Sequence, residues 1–329
     1  MLKVIRVEEA VGLPLAHDIT EIVPGKHKGP AFRRGHIIRQ EDVAKLLDVG
    51  KANIYVMELE KGELHEEDAA RRLAKAAAGE NLQLTEPSEG RVNLVARIAG
   101  LLKVDTDLLY RLNSLGDLML ATLPTNWHVK QGTVVAGTRT IPVVVKESLI
   151  ARAEALCKDR PIVTLLPMPP KRVHLIVTGS EVFTGRIKDG FGPVVSRKVG
   201  EMGSNIESIK IAPDDPDVIA AHINDAKQAG ADVILVSGGM SVDPDDKTPE
   251  GIRRSGAQVE THGFPVLPGS MFLMAYLDRT PVMGLSGCVL HDPFTAFDAL
   301  LPRLLAGEKI SRDDIMAMGH GGLQRKHDH

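Results

Sequence analysis

Cysteine is nearly absent, with only Cys157 and Cys288 among 329 residues. Two thiols cannot build a multi-disulfide framework or, alone, a four-thiolate zinc site. The scarcity suits a reducing compartment. Aromatic residues make up 3% of the chain, with Trp127 the single tryptophan, which argues against base stacking and carbohydrate platforms. No apolar run approaches the roughly 18 residues of a membrane-spanning helix. The opening MLKVIRVEEAVG holds Arg6 and two acidic residues rather than the apolar core of a signal peptide. Forty basic and 43 acidic residues leave a net charge of −3, so no global electrostatic case exists for a nucleic-acid or membrane partner. Internal repeats and low-complexity tracts are missing too. A soluble, cytoplasmic protein acting on a small molecule is expected.

What remains is ordinary globular composition, 43% apolar and 25% charged, at a length that suggests two or three domains of about 150 residues. Residues 1–62 are turn-rich and strand-like, with one short helix in QEDVAKLLDVG that presents Val43, Leu46 and Leu47 on one face and stops at Gly50. Residues 63–170 alternate helical patterns, such as HEEDAARRLAKAAAG over 65–79, with strand-like runs such as LMLATLP and GTVVAGTRTIPVVV. This region reads as mixed α+β with a barrel-like piece. MPPKR (168–172) is the expected linker, and 311–329 the expected polar tail, holding His320, His327 and His329.

From 171 to 310 the pattern changes. VHLIVTG, NIESIKIA, DVILVSGG, MFLMAYL and PVMGLSG are apolar or β-branched runs, separated for the most part by helical patterns near 191–203, 215–230 and 249–255, and a helix over about 292–305 closes the region. Strands alternating with helices, the strands apolar on both faces, predict a doubly wound, mostly parallel α/β sheet in three layers. Ligands of such sheets bind outside the carboxyl ends of the strands. There lie Thr178-Gly179-Ser180-Glu181, Pro213-Asp214-Asp215, Ser237-Gly238-Gly239-Met240-Ser241 and Gly284-Leu285-Ser286-Gly287.

A strand running into Ser-Gly-Gly lets backbone N–H groups approach an anion with no Cβ in the way, and a following helix favours negative charge at its start. The same letters also serve an ordinary strand-to-helix turn. The loop has no GxxxxGK[ST] lysine, so it is not a nucleotide P-loop. Asp243, Asp245 and Asp246 precede Thr248-Pro249, a helix start with proline at the first position. One of them can cap that helix; three carboxylates beside a phosphate site also suit Mg²⁺. Glu181, Asp189, Asp214 and Asp215 are further carboxylates at strand ends or in a glycine-rich loop, able to cap a helix, grip an amidine-like ring edge or hold a metal. Cys288 and His291 form no recognised thiol-enzyme motif.

Residues 173 to about 307 resemble the molybdopterin-binding domain of molybdopterin adenylyltransferases, molybdopterin molybdenumtransferases and gephyrin. The resemblance is carried by TGSE (178–181), GRIKD (185–189), PDDPD (213–217), SGGMSVDPDD (237–246), LPG (267–269) and GLSG (284–287). AVGLPLAHDI (10–19) and VKQGTVVAGTRTIPVVV (129–145) are similar, more weakly, to the extension that precedes this domain in the molybdenumtransferases. The resemblance implies a pyranopterin phosphate held by Thr178, Gly179, Asp189, Ser237, Gly238, Gly239, Ser241, Pro268, Gly269, Ser286 and Gly287. It implies catalytic roles for Asp246, Glu181 and Asp214, with Mg²⁺ on Asp246 and Asp215, molybdate as substrate, and a homo-oligomer, a dimer ahead of a trimer.

Three departures bear on turnover. The family's Asp-Gly-Tyr tripeptide does not occur. Its Pro-Gly-Lys-Pro loop is Pro268-Gly269-Ser270-Met271, without the lysine that could hold molybdate, and its Leu-Pro-Gly-Asn-Pro loop is Leu285-Ser286-Gly287-Cys288-Val289. Binding of a pterin phosphate is thus better supported than metal insertion. A thiolate at Cys288 touching molybdenum is a side expectation. The alternatives are a non-catalytic cofactor carrier or sensor and a nucleotide-processing enzyme on the same domain.

Overall fold

The structure is a computed structural model and describes residues 2–23, 27–57, 59–241 and 243–323. The chain divides into two compact units, one of 1–98, 102–125 and 129–165, the other of 99–101, 126–128 and 166–329.

The N-terminal unit has two cores. Val7, Leu15, Ile19, Ile38 and Leu46 fill one; Leu73, Leu94, Leu102, Leu112 and Ile150 belong to the other. The short helix is Asp42–Asp48 and buries Val43 and Leu46, but Leu47 faces water at 43% exposure, one position too far round for a three-residue apolar face. Where a barrel-like piece was expected, an open four-stranded sheet stands, ordered Leu82–Leu84, Arg91–Ala96, Val134–Thr140, Leu118–Thr122. The helix Glu66–Ala77 is amphipathic and buries Ala69, Ala70, Leu73, Ala74 and Ala77; small alanines let it lie close to its neighbours.

The C-terminal unit is an α/β domain built on β1 (Arg172–Thr178), β2 (Asn205–Ala212), β3 (Val233–Ser237), β4 (Gln258–His262), β5 (Leu273–Leu277) and β6 (Thr280–Leu285). Its helices are α1 (Ser180–Phe183), α2 (Phe191–Glu201), α3 (Pro216–Gln228), α4 (Thr248–Arg254), α5 (Ala296–Leu305) and α6 (Arg312–Ala317). The sheet order is β2-β1-β3-β6-β5-β4. β2, β1, β3 and β6 run parallel, and β5 pairs antiparallel with both β6 and β4.

The strand letters explain the layers. In β3, Val233 and Leu235 enter one core with Val195, Val199, Phe297 and Leu301 of α2 and α5. Ile234 and Val236 enter another with Ile219, Ile223 and Ile252 of α3 and α4. All four β3 side chains are at most 1% exposed, each contributing roughly 1.5–3 kcal/mol by leaving water. Two differences from the sequence reading follow from composition. QVETH, too polar to read as a strand, is β4 at a sheet edge. Residues expected as a polar tail from 311 include α6, which puts Ile315 wholly into the core. His327 and His329 lie outside the described residues.

Candidate functional site

The strand order reverses direction at β1, with β2 on one side and β3 on the other. The crevice outside the carboxyl ends of β1 and β3 is therefore the topological switch point, where open α/β sheets take ligands. Thr178 ends β1 there and is 3% exposed. Its hydroxyl donates to the Ser237 carbonyl at 2.9 Å and accepts from the Thr248 hydroxyl at 2.8 Å, its own proton being committed. One threonine thus ties β1 to the end of β3 and to the first residue of α4. Thr248, read from sequence only as a helix start, is part of the site's frame.

The glycines of the next turn are sterically required. Gly238 has φ +90°, and a Cβ there would lie 2.4 Å from the Thr178 carbonyl oxygen; Gly239 has φ +52°, and a Cβ there would lie 3.0 Å from the Thr248 hydroxyl. The N–H of Gly239 donates to no protein group among the described residues. The Ser237 hydroxyl is fully buried and makes no hydrogen bond, a costly state for a polar group. An unpaired hydroxyl beneath a bare two-glycine turn fits an anionic ligand oxygen such as a phosphate.

Carboxylates approach this turn from β1 and β2. Asp214 accepts from the Ser180 N–H at 2.7 Å through Oδ2, and its own N–H donates to the Ser180 hydroxyl at 3.3 Å. Its Oδ1 lies 3.6 Å from the space above Gly239. Glu181 folds back over Gly179, its Oε1 2.8 Å from where a Cβ would sit. Asp246 closes the loop after the turn, accepting from the Ser241 N–H at 2.7 Å.

The other strand ends line up beside these. Gly238 donates to the Leu285 carbonyl at 3.4 Å, which joins the turn to the end of β6. Leu273 of β5 pairs with Gly284 of β6, so the loop holding Pro268 and Gly269 enters at the same edge of the sheet. Gly269 has φ +125° and packs where a Cβ would be 2.9 Å from Ala296. Ser286 and Cys288 sit together, Oγ to Sγ 3.0 Å.

Two further carboxylates hold the starts of helices. Asp215 accepts from the N–H groups of Asp217 at 2.8 Å and Val218 at 3.3 Å, capping α3. Asp189 accepts from Phe191 at 2.7 Å and Gly192 at 3.0 Å at the start of α2. Orphan N–H groups of a first helical turn are strong claims on a nearby carboxylate, so the expected Mg²⁺ ligand Asp215 and the expected pterin contact Asp189 have structural occupations. Among the described residues no group of three His, Cys, Asp or Glu side chains is placed to hold a metal ion. Burial pushes the Cys288 thiol upward, against the smaller help of the Ser286 hydroxyl, which keeps it protonated and runs counter to a thiolate on molybdenum.

Lys198, Thr295 and Asp298 went unnoticed in the sequence. The Lys198 ammonium, 5% exposed, forms an ion pair with Asp298 Oδ1 and donates to the Pro293 carbonyl at 2.9 Å. Asp298 Oδ2 accepts from the Thr295 N–H at 2.8 Å and hydroxyl at 3.0 Å, a capping box at α5. This cluster anchors the segment that follows Ser286 and Gly287. Its available signal was Thr-x-x-Asp ahead of the apolar run ALLPRLL.

Residues 174–306 match a family model described as "Probable molybdopterin binding domain". Within the C-terminal unit, those 133 residues are similar to the molybdopterin-binding domain family. Residues 4–58 match a second family, described only as a domain of unknown function. Curated relatives include CinA-like proteins of Mycobacterium leprae, 37% identical over 83 residues, and Mycobacterium tuberculosis, 36% identical over 83 residues. In each pair the match covers 25% of this chain and 19% of the relative, so this chain spans about a fifth of the relatives' length. Similar solved structures include MoaB of Thermus thermophilus (21% identity, 42% of this chain and 98% of that one, TM-score 0.36). Another is CinA of Thermoplasma acidophilum (17% identity, 41% and 98%, TM-score 0.37). No helix of the described residues is long and apolar enough to cross a membrane.

Proposed function

We propose that this chain binds molybdopterin, a pyranopterin phosphate, within molybdenum cofactor biosynthesis, with the phosphate on the Ser237-Gly238-Gly239 turn. The observation that carries the reading is the buried, unpaired Ser237 hydroxyl beneath two glycines at the switch point. Thr178, Gly179 and Ser241 complete the cradle, Pro268, Gly269, Ser286 and Gly287 flank it, and Glu181, Asp214 and Asp246 rim it. The carboxylates suit the ring edge of the pterin, which offers paired N–H donors.

Insertion of molybdate into adenylylated molybdopterin with Mg²⁺ is the finer reading, with Asp246 as its metal ligand. A carrier that binds without turnover is favoured over it by two features. Asp214, Asp215 and Asp246 each already accept a backbone N–H, and loop 268–271 has no lysine to neutralise molybdate. For either role we propose the cytoplasm as the compartment and a homo-oligomer as the assembly, a dimer ahead of a trimer.

The test is to purify the full chain, oxidise any bound pterin to its fluorescent form and quantify it. Ser237→Ala removes an unpaired buried hydroxyl, so it is expected to keep or raise Tm while lowering pterin content several-fold. Asp246→Ala is expected to retain pterin and abolish molybdate-dependent hydrolysis if the enzyme reading holds. Absence of pterin, with none taken up when supplied, defeats the proposal and brings nucleotide processing forward.

A further inference from the structure

The open four-stranded sheet of the N-terminal unit carries an oddity in its register. Arg139 on Val134–Thr140 stands directly opposite Arg91 on Arg91–Ala96. Like charges opposite one another across strands are destabilising, and guanidinium groups do not escape by losing a proton. Among the described residues neither arginine forms an ion pair. The Arg139 Nε is buried and makes no hydrogen bond, and its Nη2 reaches only the Glu89 carbonyl, at 3.4 Å. Glu66, the carboxylate whose charge Arg139 feels, is itself 7% exposed; burial pushes its carboxyl upward against the pull of Arg139, which weakens it as a counter-ion.

The same face is shallowly grooved. A groove of about 310 Å³ runs over it, lined by both arginines, Asn93, Met119, Val134 and Gly137 among others. Gly137 makes the floor: the Arg91 Cδ passes 3.8 Å, and the Asn93 Oδ1 3.1 Å, from where its Cβ would be. Met119 and Val134 leave 40% and 50% of their surface exposed. A paired cationic rim over a shallow apolar floor is complementary to a small molecule that carries one anionic group on an apolar body.

We propose that this face is a second ligand site. It takes such an anion between the guanidinium groups of Arg91 and Arg139, with the apolar body on the floor at Gly137 and Met119. The site lies within the N-terminal unit and is independent of pterin binding.

The probe is anilinonaphthalene sulfonate, one sulfonate on aromatic rings, titrated into the full native chain by fluorescence and calorimetry. One saturable site per chain is expected. Arg91→Gln and Arg139→Gln are each expected to weaken it roughly tenfold or more. Gly137→Val fills the floor with a strand-favouring side chain and is expected to abolish binding with circular dichroism and Tm retained, so loss of binding is not loss of fold. Ser237→Ala is expected to leave the probe's affinity unchanged, which separates this site from the strand-end crevice. Affinity untouched by all three groove variants overturns the proposal. So does equal binding of the ring system without its sulfonate. A mass by light scattering that falls to monomer with Arg91→Gln also overturns it, by assigning the face to a second copy of the chain.

Discussion

Two turns of the C-terminal domain look alike as letters and differ as physics. Ser237-Gly238-Gly239 follows β3, and Ser286-Gly287-Cys288 follows β6, the neighbouring parallel strand. At Gly238 the backbone lies in the left-handed region and a Cβ would strike the Thr178 carbonyl; at Gly287 nothing lies within 4 Å. The first turn is fixed by its own glycines and by one buried threonine. The second is held from outside, by the Lys198–Asp298 pair and the Pro293 carbonyl a few residues on. Shape is thus specified locally in one strand end and remotely in the next, and a glycine by itself does not reveal which.

The contrast can be broken from its remote side first. Lys198→Met leaves Asp298 buried, at 11% exposure, without its cation, and a loss of about 3–5 kcal/mol is expected by denaturant titration. A loss below about 1 kcal/mol would mean that the segment after β6 holds itself. Gly238→Ala is expected to cost roughly 2–3 kcal/mol from backbone strain and the clash, with Gly287→Ala within about 0.5 kcal/mol of the unsubstituted chain. Equal effects of the two substitutions would erase the distinction. Thr178→Val strips the acceptor from Thr248 and the donor from Ser237; about 1–3 kcal/mol is expected, and Thr178→Ser should recover most of it.

A pH series isolates a smaller contribution lying away from both turns. Burial raises the Asp314 carboxyl, but the Ser311 hydroxyl, Arg303 and the Ser311 N–H outweigh it and hold the group at about 2, below its ordinary 3.8. The folded value is depressed, so its stabilisation is fully present above pH 3.8 and is lost as pH falls toward 2. Asp314→Asn should lower Tm at neutral pH and flatten the decline between pH 4 and 2. An unchanged acid slope would exclude Asp314 as its source.

The C-terminal strands were readable because apolar runs such as VILV are buried on both faces and end at glycine, a pattern that survives without tertiary context. β4 was not, since QVETH is half-exposed at an edge and carries little apolar periodicity. The site showed the same division. Thr178, Ser237 and Gly238 could be placed because strand ends define where they fall. Asp214 and Asp215 are adjacent and chemically identical, yet one faces the crevice and the other caps α3; only the backbone path decides between them. Lys198 stood a hundred residues from Asp298, and no local pattern joins positions so far apart.

β6 is the last strand among the described residues but the fourth in the sheet, wedged between β3 and β5. A nascent domain therefore holds β2-β1-β3 as a fragment whose raw edge, Val233–Ser237, waits for partners more than forty residues away. The glycine turn that borders the crevice ends this edge strand and is bonded through Gly238 to Leu285 of β6. Its completion must come late in synthesis, and until residues 280–285 are threaded into place the strand beneath the glycine turn is an open edge of the kind that recruits foreign strands.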